Sequence, residues 1–131
     1  MSKVKLTKVT FEAIESLQGL VEDYISINVF VWLKHQDTYF EAVIKWHLCK
    51  VLWRMFRNKM ESDSARYSLV LNPDQAVVLL DVCQKGYDRL STGSYDKNIA
   101  LTYRDELDRQ LKSLMIIINP QTQNYGQDIS L

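Results

Sequence analysis

The run KWHLCKVLWRMFRNKM, residues 45 to 60, gathers a histidine, a cysteine, two tryptophans and five basic residues. Each of these types can do chemistry. His47 and Cys49 are metal ligands by type, but zinc needs three or four ligands, and a helix supplies them in pairs three or four positions apart. At those offsets His47 meets Val43, Ile44, Lys50 and Val51, so no pair exists. His35, Asp37 and Glu41 could hold a cation by type, yet their spacing matches no binding motif. Neither a metal nor a cofactor is expected.

Lys50, Arg54 and Arg57 stand at i, i+4 and i+7 and form a basic ridge. Such a ridge can contact phosphate, which would make the protein an accessory to nucleic acid. The plainer expectation is that it is solvated or pairs with Glu15, Glu22 and Asp23 on the first helix. Sixteen basic and sixteen acidic residues cancel over the chain, leaving no global field to draw it onto nucleic acid or an anionic membrane. Nucleic acid is therefore the less favoured partner.

Signatures of catalysis are missing from the sequence. There is no phosphate-cradling glycine loop, no CxxC, no HExxH and no GxSxG. Asp105 and Glu106 are adjacent and so point in different directions from a helix, which suits a surface better than acid–base work. A non-catalytic protein is expected; the alternative, a small-ligand binder or enzyme with a pocket between helices, would draw on His47, Cys49 and Tyr87.

Helices must position these residues. From Phe11 to Ile25 the apolar side chains recur on one face, with Glu12, Glu15, Glu22 and Asp23 opposite. Thr10 is the N-cap. The following SINVFVWL is rich in β-branched and aromatic residues, as a strand would be, but nothing before it breaks the helix, so residues 27 to 33 are assigned to its continuation. Thr38 with Glu41 reads as a capping box opening a helix from about Tyr39 to Lys59.

YSLVL, residues 67 to 71, is an extended segment that needs a partner, either residues 27 to 33 or a second chain, unless it merely packs on the helices. NPDQ at 72 to 75 starts a third helix, with Asn72 as N-cap and Pro73 at the first helical position. A fourth runs from Lys97 to Ile118 on Ala100, Leu107, Leu111, Leu114 and Ile118, interrupted by the polar Arg104. The last two helices with a glycine-containing turn have the outline of a DNA-reading helix-turn-helix. Acids offset bases in DKNIALTYRDELDR, which argues against that use.

The helix over residues 45 to 60 is apolar on two sides. Phe40, Ile44, Leu48, Val51, Leu52 and Met55 form a broad face read as core, and Ala42, Trp46, Cys49, Trp53, Phe56 and Met60 form a second, nearly opposite. A helix of this kind is central in its domain or part of an oligomer seam. Trp46, Trp53 and Phe56 are accordingly the interface candidates. His47 falls at the edge of the core. Cys49 and Cys83, the two cysteines, read as buried free thiols.

The sequence thus predicts a mainly α single domain over residues 1 to 118, a bundle of about four helices with one short extended segment near 67 to 71. Residues 119 to 131 are polar and read as a mobile tail. MSKVKLTKVT lacks the apolar run of a signal peptide, and no stretch approaches the ~20 apolar residues of a membrane span. The expected protein is a cytoplasmic interaction or assembly module that pairs with itself or with another protein.

Overall fold

The structure, a computed structural model, describes residues 3 to 118. It is mainly α-helical, with four principal helices and one small antiparallel sheet. The chain runs β1 (Val4–Val9), α1 (Phe11–Tyr24), a π-helical turn (Ile25–Val29), α2 (Phe30–Trp32), a 3-10 turn (Gln36–Thr38), α3 (Tyr39–Glu61), β2 (Tyr67–Leu71), α4 (Pro73–Arg89) and α5 (Tyr95–Ile118). The tail expected beyond residue 118 lies outside the described residues.

Local chemistry sets most boundaries. Thr10 caps α1, its Oγ1 accepting the Ala13 N–H at 3.1 Å. At α4 the Gln75 Oε1 reaches back to the Asn72 N–H at 2.9 Å, with Pro73 at the first helical position. Gly93, at φ +86, takes the left-handed conformation in the turn before α5. The Thr38 capping box does not form. A 3-10 turn leads directly into α3, and the Thr38 hydroxyl instead donates to the Trp32 carbonyl at 2.7 Å, tying the loop back to the end of α2. Residues 27 to 32 are helical, not strand.

The partner of β2 is β1, within the same chain, a pairing that neither expectation named. Val4 faces Leu71, Lys5 faces Val70, Leu6 faces Leu69 and Val9 faces Tyr67. Between Leu6 and Val9 the first strand takes one residue more than its partner, a β-bulge with Lys8 at φ +56. The extra residue changes the phase of the side chains, so Val4, Leu6 and Val9 all face inward. Tyr67, Leu69 and Leu71 complete the buried side of the sheet.

One core joins the sheet to all four long helices. Ile14, Leu17 and Val21 enter it from α1, Leu79 and Cys83 from α4, and Ala100, Leu107 and Leu114 from α5. Where α1 crosses α4 the fit is close: a Cβ added at Gly86 would stand 2.7 Å from Leu20 Cδ2, and Leu20 would have to shift.

The two faces of α3 are covered differently from expectation. Of the face read as core, Leu52 is buried and Leu48 and Met55 pack against the core, but Phe40 and Ile44 do not, and most of the second face is buried or half-buried as well. Ala42, Cys49, Leu52 and Phe56 are wholly buried, while Phe40 is 79% exposed and Ile44 60% exposed. Periodicity shows that two faces are apolar but not which one neighbours cover. Both α1 and α4 pack on α3, burying Cys49, Leu52 and Phe56, and the described elements leave the side of Phe40 and Ile44 at its start exposed. Consequently α3 is a peripheral helix, not a central one.

Candidate functional site

The uncovered side of α3 belongs to a larger apolar face. Ile27, Phe30 and Val31 at the end of the first helical run, and Tyr39, Phe40, Val43, Ile44 and Trp46 on α3, are all substantially exposed. The two segments pack against each other. Within the face the rings of Tyr39 and Phe40 meet edge to face, 5.8 Å between centroids. Large exposed apolar patches are uncommon on monomers and mark contact surfaces.

Of the three interface candidates, only Trp46 contributes to this surface. Phe56 is wholly buried in the core and offers nothing to a partner. Trp53 is half-buried against α1, its Nε1 donating to Glu22 Oε1 at 2.8 Å and its carbonyl accepting from Gln18 Nε2 at 3.3 Å. These bonds place Trp53 in the α1–α3 seam.

The basic ridge is largely engaged on its own helix. Lys50 Nζ lies 4.8 Å from the centre of the Trp46 ring, while Arg57 lies over Trp53 and pairs with Glu61 at 3.4 Å. Arg54 is exposed and forms no ion pair among the described residues. The anticipated bridges to α1 do not form: Glu22 is taken by Trp53, and Asp23 pairs with Arg89 at 3.2 Å. His47 is exposed on the outer side of α3 and not at the edge of the core. No three His, Cys, Asp or Glu side chains among the described residues converge as a metal site would require.

A cleft of about 720 Å³ lies along the outer face of α4, between Trp32 and Lys45 on one flank and Arg104, Asp105 and Asp108 of α5 on the other. His47, Cys49 and Tyr87 do not line it. Its polar centre is Asp81, which accepts from the Tyr24 hydroxyl at 2.5 Å and from Lys85 Nζ at 3.0 Å, with Lys45 Nζ 3.9 Å away. Burial alone pushes the Asp81 carboxyl upward, but the Tyr24 hydrogen bond and the two lysines together outweigh it and hold the group below its ordinary value. Burial and the same bond raise the Tyr24 phenol.

The thiols are held out of reach of chemistry. Burial pushes both Cys49 and Cys83 up to about 12, and the Asp81 charge adds to the effect at Cys49. Both effects disfavour the thiolate, the nucleophilic form, at neutral pH. Of the cleft residues, the sequence marks Arg104 as a polar interruption and Asp105 as surface but does not bring them together with Asp81 and Lys85, whose signal is a charged pair at i and i+4 in VVLLDVCQK.

No helix among the described residues is long and apolar enough to cross a membrane. In comparison with known proteins, no family model matches the chain, and neither a curated protein nor a solved structure gives a significant match.

Proposed function

We propose that the chain is a non-catalytic cytoplasmic interaction module that pairs with a second copy of itself through the apolar face of α3 and the end of the first helical run. The uncovered face centred on Phe40 and Ile44 carries this reading. Eight large apolar side chains contribute to it. At about half exposure they present on the order of 600 Å², close to the ~800 Å² that each partner brings to a standard interface.

A second copy suits the face because it carries no charge bias. Lys34, Asp37, Glu41 and Lys45 balance within residues 27 to 46, and the whole chain has formal net charge zero, so copies do not repel. Two-fold symmetry sets the same patch on itself, and an apolar, charge-balanced patch is self-complementary.

Light scattering coupled to size exclusion, run on the purified chain over a range of micromolar concentrations, tests the proposal. Wild type should give twice the chain mass, and the double substitution Phe40→Ser, Ile44→Ser should give the monomer with its helical spectrum intact. A wild-type monomer at the highest concentration would rule out the second copy and leave another protein as the occupant to seek.

A further inference from the structure

We propose that the cleft along α4 binds an organic monoanion, a single carboxylate or sulfonate group carried on an apolar or aromatic body. Its volume of about 720 Å³ is that of a small-molecule site. The charge is unequally distributed between its walls. On the α5 side Arg104 pairs with Asp105 at 3.1 Å, and Asp108 pairs at 2.8 Å with Lys112, which lies outside the cleft, so that wall is balanced once Lys112 is counted.

The opposite wall sets two ammonium groups against one carboxylate. Lys85 hydrogen-bonds to Asp81, whereas Lys45 stands 3.9 Å away and makes no hydrogen bond to it. Both lysines lie over the Trp32 ring, with Nζ at 4.7 Å and 5.9 Å from its centre. Lys45 therefore keeps free donors, and it shares the single Asp81 carboxylate with Lys85, which leaves one positive charge in excess on this wall. Asp81 already accepts from Tyr24 and Lys85 and faces Lys45, so two positive charges stand between it and a cationic ligand.

The remaining lining supplies the apolar contact. Val77 is half-exposed at the mouth and Leu80 is partly buried beside it. One uncompensated charge beside an aromatic ring and two aliphatic side chains fits a monoanion with an apolar body better than a multiply charged phosphate ester. No side chain of the α3 face lines the cleft, although Trp32 and Lys45 adjoin it in sequence, and this inference does not rest on self-association.

The test uses the fluorescent anion 8-anilinonaphthalene-1-sulfonate and its uncharged analogue N-phenyl-1-naphthylamine. The sulfonate should bind one per chain and more tightly than the neutral analogue. Lys45→Met should weaken the sulfonate about fivefold, as expected for one charge-assisted hydrogen bond at a half-exposed site, and leave the neutral analogue unchanged. Val77→Asp, a change at an exposed position, should weaken it as well and serves if Lys45→Met fails to fold. Equal binding of both probes, indifference to these substitutions, or loss of the sulfonate only in Phe40→Ser, Ile44→Ser would overturn the proposal.

Discussion

The side-chain amide of Gln110 holds the backbone of Lys5 at both ends: its Oε1 accepts the Lys5 N–H at 3.0 Å, and its Nε2 donates to the Lys5 carbonyl at 2.7 Å. On that side β1 has no strand neighbour among the described residues. Gln110 does at one residue what a third strand would do along the whole edge, and it fastens the start of the chain to α5. Gln110→Ala should cost about 1–2 kcal/mol of stability and speed hydrogen exchange at the Lys5 amide. Unchanged exchange at that amide would show that the contact is not maintained in solution.

Lys8 sits in the left-handed region at φ +56, where a side chain is strained. Lys8→Gly should stabilise the protein by up to ~1 kcal/mol, and Lys8→Val should destabilise it by at least as much, because a β-branched residue tolerates this conformation least. Urea midpoints of the two variants decide the matter; the reverse order would mean that the bulge relaxes.

Asp81 links stability to pH. Its folded-state value is lowered, so its contribution is present above the ordinary carboxylate range and is lost as pH falls through the folded-state value. Asp81→Asn should be less stable than wild type near neutrality, by about 1–3 kcal/mol, since Lys45 and Lys85 lose their counter-charge. The gap between the two proteins should then narrow as acid is added below roughly pH 4. A gap independent of pH would show that the lysines do not favour the ionised form.

Substitutions on opposite sides of α3 should behave as opposites. Phe56→Ala removes a wholly buried ring and should cost about 3–5 kcal/mol. Phe40→Ser and Ile44→Ser should change the stability of the monomer by no more than about 0.5 kcal/mol. Thermal or urea unfolding measured at low concentration separates folding from self-association, and a large loss in the serine variants there would contradict the exposed placement.

Cys49 and Cys83 are both buried and free. Ellman's reagent at mildly alkaline pH should find no rapidly reacting thiol in the native chain and two after denaturation. Rapid native reaction of either thiol would indicate local opening of α3 or α4.

The long helices were legible because their apolar residues recur at helical spacing and their ends carry local signals: Thr10 bonds Ala13, and Gln75 bonds Asn72, without reference to the rest of the fold. β1 was not legible, because the bulge breaks its alternation. Val4 and Leu6 hold one phase and Val9 the other, so the strand looks irregular until Lys8 is known to lie in the bulge. The faces of α3 failed for another reason. Both are apolar, and only the positions of α1 and α4 decide which is covered. The cleft shares that origin, since it brings together Trp32, Lys45, Asp81 and Arg104 from four separate helices.

The pairing of β1 with β2 also fixes an order of events during synthesis. The first strand leaves the ribosome before either of its anchors exists, β2 at Tyr67–Leu71 or Gln110 on α5. At roughly 5–20 residues per second, several seconds pass before the strand can be captured at both edges. Lys3, Lys5 and Lys8 line this segment. Like charges on an unpaired strand oppose edge-to-edge pairing with a copy of itself, so these lysines disfavour such pairing while the segment waits.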